Sequence, residues 1–384
     1  MTPRVVLTPR GAARLAAGHP WVFRTDVRDE SARAPGVVRV EDERGRGLGS
    51  ALYSPASEIR VRWLAPDGVA IGAEWWREAV RRAAERRAGV DATACRVVHA
   101  EGDGLPSLIV DRFGDFAVAQ LLSAGLEAVR GEVVDAIRSV LEPRGLLLRN
   151  DAPVRERERL PRGVEPAFGE VPQTVEVREA AVRYLAAPWT GQKTGAFLDQ
   201  RENRLLVGGL ARGRCLDAFA YHGGFALHLA RGGAAEVTAV ESSAEALRHV
   251  AAAAALNGVT IGGVEANAFD WLRAEADSGA RYDVIVLDPP AFAKDKRSLQ
   301  RALAGYKELN LRAMRMLSPS GWLFTCSCSH HVSRGDFYAM LGEAAQDAGR
   351  RVQLVEMRGA AADHPELLTV PETGYLKGAL LRAM

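Results

Sequence analysis

The sequence predicts an α/β protein whose C-terminal part is a doubly wound parallel sheet, preceded by a small β-rich module and a small α+β domain. Three observations carry this reading. From Ala186 onward short apolar runs alternate with helical patterns, as in a parallel sheet covered on both faces by helices. Residues 1–68 hold only short strand-like runs separated by turn chemistry. Residues 69–185 mix the two patterns, which sets expected domains of 1–68, 69–185 and 186–384.

In the first segment the strands are Val37-Val38-Arg39-Val40 and Ile59-Arg60-Val61-Arg62-Trp63, with a turn at Asp42-Glu43-Arg44-Gly45 between them. The second opens on a basic amphipathic helix over 72–88. Strands follow at 106–111 and 116–121, then a helix over 127–142, a strand at 146–149 and another near 175–177. In the third, strands are expected at 214–218, 236–241, 263–266, 282–287 and 321–327. Helices are expected at 224–231, 244–256, 270–275, 306–317 and 334–349, with an antiparallel pair, 353–356 and 377–382, closing the sheet.

Composition bounds the function. At 384 residues, 47% hydrophobic and 26% charged, the chain is an ordinary globular one, and disorder, collagen and coiled coil are excluded. No apolar run approaches the roughly 18 residues of a membrane span. The stretch at Leu15–Ala17 is flanked by Arg10, Arg14 and His19, too polar for a signal-peptide core, so the cytoplasm is the expected compartment and no membrane is expected as a partner. Four cysteines give no disulfide framework for a chain this long, and free thiols are expected. The basic residues divide into 45 Arg and only 5 Lys. Residues 1–90 carry an excess of five positive charges, which mildly favours a polyanionic partner.

The first strand of the third segment ends Asp217-Ala218-Phe219 and runs through Ala220-Tyr221-His222-Gly223-Gly224 into a helix, at the edge where doubly wound sheets bind ligands. The loop is neither the dinucleotide fingerprint nor a phosphate-cradling Gly-Lys-Ser/Thr loop. Glu241 ends the next strand, 24 residues beyond Asp217, placed to accept hydrogen bonds from both ribose hydroxyls of an adenosine cofactor. Asp288-Pro289-Pro290-Ala291-Phe292 closes the fourth strand; its prolines would hold the Asp288 carboxylate rigidly where a planar base could be gripped. Together these features point to S-adenosylmethionine and to methylation of a base. Three of the five lysines, Lys294, Lys296 and Lys307, follow directly. They are candidates for phosphate contacts.

The fifth strand ends Thr325-Cys326-Ser327-Cys328-Ser329-His330-His331. A thiolate forms readily and is strongly nucleophilic, which suits addition to carbon 6 of a pyrimidine. Alternation sends Cys326 and Cys328 the same way, with Cys328 nearer the ligand edge and Cys326 one strand repeat behind, dispensable for chemistry. A metal site from Cys326, Cys328, His330 and His331 is disfavoured by the single intervening residue and the lack of a second ligand pair, so no metal is expected. Cys95 and Cys215 sit in apolar strands and are read as structural.

Thr194-Gly195-Ala196-Phe197-Leu198-Asp199-Gln200-Arg201, Asp288-Pro289-Pro290-Ala291-Phe292, Gly305-Tyr306-Lys307-Glu308-Leu309-Asn310, Ser327-Cys328-Ser329, Ala362-Asp363-His364-Pro365 and Tyr375-Leu376-Lys377-Gly378 resemble the bacterial 23S ribosomal RNA large subunit methyltransferase I family. His19-Pro20-Trp21-Val22-Phe23, Pro35-Gly36 and 57–62 resemble that family's RNA-binding PUA β-barrel. The resemblance implies a class I, Rossmann-like methyltransferase sheet and cytosine-5 methylation of ribosomal RNA. It places the nucleophile on Cys328, with Asp288 as its catalytic partner. It places the cofactor loop on Phe219, Tyr221, Gly223, Gly224 and Phe225, with further cofactor contacts at Phe197, Asp199, Asp217, Ser242, Ala268, Asp288 and Pro289. The ribose acid falls on Glu241, and the adenine acid on Asn267, where only an amide oxygen remains. RNA contacts fall on Arg201, Lys294, Lys296, Tyr306 and Lys307.

In this reading Cys328 adds to carbon 6 of a flipped-out cytosine, Asp288 holds ring nitrogen 3, and the activated carbon 5 takes the methyl group. Two alternatives stay open: methylation of a purine nitrogen, which needs no cysteine, and a non-catalytic RNA-binding assembly factor on the same fold. The target nucleotide, the base that takes the carbon 5 proton and the oligomeric state, a homodimer being one option, are not legible in the sequence.

Overall fold

The computed structural model describes residues 3–293 and 295–384. They form two compact units whose chain segments interleave. The first comprises 1–177, 186–198 and 362–373, and the second 178–185, 199–361 and 374–384. The expected boundary at 185/186 is thus crossed repeatedly by the chain. Among the described residues no helix is long and apolar enough to cross a membrane.

The first unit holds two sheets. Six strands, Arg4–Leu7, Trp21–Phe23, Val27–Glu30, Gly36–Glu41, Gly47–Tyr53 and Ile59–Ala65, form the N-terminal one. The turn after the fourth is fixed by Asp42, whose Oδ1 accepts from the amides of Arg44 and Arg46 at 2.9 Å each. A helix over Pro9–Ala16 was not expected, although Thr8 caps it from the side chain and Pro9 occupies a first-turn position. The second sheet has five strands, of which Ala94–His99 and Gly163–Phe168 also escaped the sequence reading.

The N-terminal sheet has a core of its own around Val5, Leu7, Val38, Val40 and Val61, and Leu52, Leu64 and Ala65 of the same sheet pack into the second sheet's core with Trp76, Val80, Leu105 and Leu146. Arg62 and Glu158 meet as a buried pair at 2.8 Å. The expected 1–68 and 69–185 segments therefore pack against each other within the first unit. Residues 186–198 belong to it as well: Arg149 donates to the Pro188 carbonyl at 2.6 Å, and Gly195, at φ +134°, lies so close to Ala187 that a Cβ would sit 3.0 Å from its carbonyl carbon.

The second unit is the doubly wound sheet. Its strands are β1 (Arg214–Ala218), β2 (Glu236–Glu241), β3 (Gly262–Glu265), β4 (Tyr282–Leu287), β5 (Leu317–Ser327), β6 (Val352–Arg358) and β7 (Lys377–Ala383). The order is β3-β2-β1-β4-β5-β7-β6, with β7 antiparallel to both its neighbours. Helices α1 (Arg201–Gly208), α2 (Gly224–Arg231), α3 (Ala244–Asn257), α4 (Ala268–Asp277), α5 (Leu299–Met316) and α6 (Arg334–Ala348) cover it. The central strands are almost wholly buried, which explains their near-continuous apolar runs. Helix α3 runs from the Ser243 cap to Gly258 at φ +63°, and α6 from a Ser333–Asp336 capping box to Gly349 at φ +64°.

Two elements are longer than expected. Helix α5 begins at Leu299 and runs through Gly305, whose missing Cβ would stand at ordinary contact distance, 3.5 Å, from the Phe292 ring. Strand β5 begins at Leu317 across an irregularity in its pairing with β4, with Ser320 at φ +58°.

Candidate active site

The carboxyl ends of β1, β2, β4 and β5 bring the expected residues of the second unit together. After β1 the chain takes two left-handed turns at non-glycine residues, Phe219 at φ +64° and Tyr221 at φ +48°. Such strain persists only where surroundings over-determine it, and it clusters at functional sites. Here Ala220 donates to the Val240 carbonyl at 3.1 Å, Gly223 to the Ala220 carbonyl at 2.7 Å, and the Tyr221 amide to Glu241 Oε2 at 2.9 Å. Gly223 is required twice: its φ is +79°, and a Cβ would approach Val250 Cγ2 to 3.0 Å. Gly224 sits over the side chain of Arg204, which pairs with buried Glu179 at 2.8 Å.

Asp217 is 1% exposed. Its Oδ2 accepts from the Ala226 amide at 2.8 Å, while Oδ1 has no partner. Burial, reinforced by the nearby Asp288 and Glu241 carboxylates, pushes its carboxyl up to about 8. An orphaned buried oxygen and a strained loop whose glycine lets the backbone approach a ligand closely fit an adenosine cofactor. Glu241 is partly exposed, and its Oε1 accepts from the Ser243 amide and the Ser242 hydroxyl at 3.1 Å each, so the carboxylate also braces the loop.

Other expected cofactor positions are placed differently. Asn267, expected at adenine, turns its amide oxygen to the cap of α4, accepting from Phe269 at 2.9 Å and Asp270 at 3.4 Å. Phe225 turns into the core against Phe324, leaving only its backbone at the helix start. Ala268 and Pro289 are buried, and Ser242 is exposed. Asp199 is 2% exposed and accepts from the Tyr375 hydroxyl at 2.6 Å. Phe197 belongs to the first unit, with Lys193 Nζ 4.5 Å above its ring.

The chemistry-bearing pair stands on adjacent strands. Cys328 follows β5 and is partly exposed; Cys326 is fully buried. Asp288 follows β4, its amide donating to the Ala218 carbonyl at 3.4 Å. Ser329 fixes the loop beside Cys328: its hydroxyl accepts from the Ala293 amide at 3.2 Å and pairs with the Tyr306 hydroxyl at 2.9 Å, and its carbonyl accepts from Lys377 Nζ at 2.6 Å. Lys377 also donates to the Tyr375 carbonyl at 2.8 Å. Burial lowers its amine to about 8, against the opposing pull of the Cys328 thiolate.

The expected RNA contacts need correction. Tyr306 is 0% exposed, its hydroxyl also reaching the Pro290 carbonyl at 3.4 Å, so it braces the Asp-Pro-Pro loop from inside instead of meeting RNA. Arg201 is 3% exposed and bonds Glu202 at 2.8 Å. Lys307 pairs with Glu343 at 3.1 Å and Asp347 at 2.9 Å, tying α5 to α6. Lys294 lies outside the described residues, and Lys296 is described only as backbone, in a short turn over Lys296–Ser298. Two features went unforeseen. Phe219, Phe269, Phe292 and Tyr306 form a ring chain along this edge, and the His222 ring stacks between Tyr221 and His249 at 3.7 and 4.5 Å. Burial lowers the His222 imidazole to about 4. Among the described residues no group of three or more His, Cys, Asp or Glu could hold a metal ion.

Comparison with known proteins decides the family. Residues 148–382 match the S-adenosylmethionine-dependent methyltransferase family, and residues 5–66 match the PUA-like domain. A protein of Klebsiella pneumoniae (strain 342) named "Ribosomal RNA large subunit methyltransferase I" is 37% identical over 100% of this chain and 98% of its own. The chain belongs to the ribosomal RNA large subunit methyltransferase I family. Another member, from Salmonella arizonae, is 36% identical with the same coverage. In fold, this methyltransferase matches a chain from Streptococcus mutans described as a SAM-dependent methyltransferase, with TM-score 0.83, 19% identity and 99% of each chain covered. A second solved chain, with TM-score 0.83, 20% identity and 99% of each chain covered, is complexed with SAH. S-adenosylmethionine is the cofactor of the family, and the Asp217–Glu241 cradle is where this member's residues suit it.

Proposed function

We propose that this methyltransferase modifies carbon 5 of a cytosine in 23S ribosomal RNA through a covalent adduct between Cys328 and carbon 6. The observation that carries the reading is a partly exposed thiol, Cys328, beside the Asp288 carboxyl at the ends of the neighbouring strands β5 and β4. Methylation of an exocyclic or ring nitrogen would need no such thiol.

S-adenosylmethionine, when bound, supplies a methyl group made electrophilic by its sulfonium. Everything else falls to the protein. Carbon 5 of cytosine is a poor nucleophile while the ring is aromatic, so Cys328 forms a C–S bond at carbon 6 and drives the electron pair toward carbon 5. Asp288, carrying a proton, donates it to ring nitrogen 3, which takes it up as carbon 6 is attacked and returns it when the aromatic ring re-forms, and this bond holds the base in the plane that the attack requires. The Lys377 ammonium, fixed by two carbonyls beside Cys328, favours the thiolate. Loss of the carbon 5 proton and of the thiolate then restores the aromatic ring and frees the enzyme. The target base must leave its stack to reach a strand-edge site, and the PUA-like module supplies the RNA affinity that offsets this cost. The relatives' name motivates the ribosomal substrate, and the cytoplasm is the compartment proposed.

Nucleoside mass spectrometry of ribosomal RNA from cells with and without the gene tests the reading. A single 5-methylcytosine that disappears with the gene supports it; an altered purine in its place overturns it.

A further inference from the structure

Cys326 was expected to be dispensable for chemistry, yet its buried thiol is bonded to two named side chains. Its Sγ lies 2.9 Å from Asp288 Oδ1, and Gln200 Nε2 donates to that sulfur at 3.2 Å. Gln200 Oε1 accepts from Asn203 Nδ2 at 2.6 Å, and Asn203 Oδ1 accepts from Arg358 Nε at 3.0 Å. Arg358 is itself paired with Glu356 at 2.7 Å. Gln200, Asn203 and Cys326 are 2%, 1% and 0% exposed, so water does not compete for these bonds.

The direction of every bond is fixed from one end. A guanidinium only donates, so Asn203 must offer it oxygen and turn its amino group to Gln200. Gln200 must then offer oxygen to Asn203 and its own amino group to the sulfur. The sulfur accepts there, which leaves its proton for the Asp288 carboxylate at 2.9 Å, the Leu287 carbonyl at 3.6 Å being the more distant acceptor. Burial and the Asp288 charge together keep that thiol protonated. A second nucleophile at this position is therefore ruled out by both inaccessibility and protonation state.

We propose that Cys326 is a positioning residue for Asp288, held in that task by a one-way hydrogen-bond chain from Arg358 through Asn203 and Gln200. The chain fixes one oxygen of the carboxyl group and so sets the plane in which the group meets a target base. This rests on the reading that Asp288 engages that base.

The test compares Cys326→Ala, which deletes the donor, with Cys326→Ser, which keeps one, and with Gln200→Met, which releases the sulfur. Full-length enzyme is assayed for methyl transfer to ribosomal RNA across pH, for S-adenosylmethionine affinity by calorimetry, and for the identity of the methylated nucleoside. Loss of a bond to a charged group predicts a fall in kcat of about tenfold or more for Cys326→Ala, with cofactor affinity unchanged. In that variant the limb of kcat/KM on which Asp288 titrates moves to higher pH, because a lost donor disfavours the carboxylate. Gln200→Met falls by less, and Cys326→Ser keeps most of the rate and the wild-type limb. Equal rates and pH limbs for Ala and wild type overturn the proposal. So does equal damage in Ala and Ser accompanied by lost cofactor affinity, which marks a merely structural thiol. A product other than 5-methylcytosine overturns the underlying reading instead, and the Ala-to-Ser contrast then still decides whether Cys326 serves Asp288.

Discussion

The Tyr221 amide donates to Glu241 Oε2 at 2.9 Å, so the residue expected to hold the cofactor's ribose also holds the loop that receives it. Glu241→Ala removes a brace and two acceptors together. S-adenosylmethionine affinity should fall by at least the on the order of 1.5–3 kcal/mol of one charge-assisted bond, read by calorimetry. Unchanged affinity would take Glu241 out of the site.

Asp217 carries a pH signature. Its folded carboxyl titrates at about 8 against an ordinary value of 3.8, so it favours the fold fully below about 4 and loses that contribution as pH rises through 8. The apoprotein with Asp217→Asn should therefore hold its melting temperature better than wild type between pH 4 and 8. Binding of a cation-bearing cofactor favours the ionised carboxylate, so wild type should release a proton on binding near pH 7 and the variant should not. Calorimetry in two buffers of different ionisation enthalpy measures this.

Cys328→Ala should bind cofactor and RNA normally yet transfer no methyl group. RNA carrying 5-fluorocytosine should trap the wild-type enzyme as a stable adduct, since fluorine cannot leave as a proton. Activity in Cys328→Ala with no adduct in wild type would falsify the cytosine-5 mechanism.

Lys377 loses its charge near pH 8, and a neighbouring cation lowers a thiol's pKa. In Lys377→Met the alkylation rate of Cys328 by iodoacetamide, followed by peptide mass spectrometry, should climb only at higher pH than in wild type. Superimposable profiles would separate the lysine from the thiolate.

Lys294 and Lys296 are the proposed phosphate contacts. Replacing both with Ala should weaken RNA binding and flatten its dependence on salt by a slope of about 0.7 to 0.9 per lost contact. An identical slope would return both to the solvated surface.

The sheet of the second unit was legible because its central strands are buried on both faces, and the run Tyr282–Leu287 can hardly be read otherwise. Strands Ala94–His99 and Gly163–Phe168 were not. The first is interrupted by Arg96, whose buried pairing with Asp111 at 2.8 Å removes its polar signal, and the second is a largely exposed edge strand containing Pro166. Of the candidate site, the placement of Asp217, Glu241, Asp288 and Cys328 at the carboxyl edge of the sheet was legible, because strand ends can be read from residue type and pattern. The site was not legible where one side chain acts on another distant in sequence: Gln200 and Cys326 are 126 positions apart, and only the fold brings them together. Tyr306 and Lys307 misled because an aromatic and a lysine after an Asp-Pro-Pro loop look the same in sequence whether they face outward or inward.

Residues 362–373 complete the first unit, where Arg87 donates to the Asp363 carbonyl at 2.8 Å and the Arg96 amide to Asp363 Oδ2 at 2.9 Å. These acceptors are made late in a chain of 384 residues. Arg87 and Arg96 already pair with Asp103 and Asp111 nearby in the chain, but during synthesis the N-terminal body waits for these two further bonds until residue 363 has left the exit tunnel, so its packing is completed out of the usual N-to-C order. Nonsense truncation shortly before residue 362 would thus damage the front of the protein as well as its end.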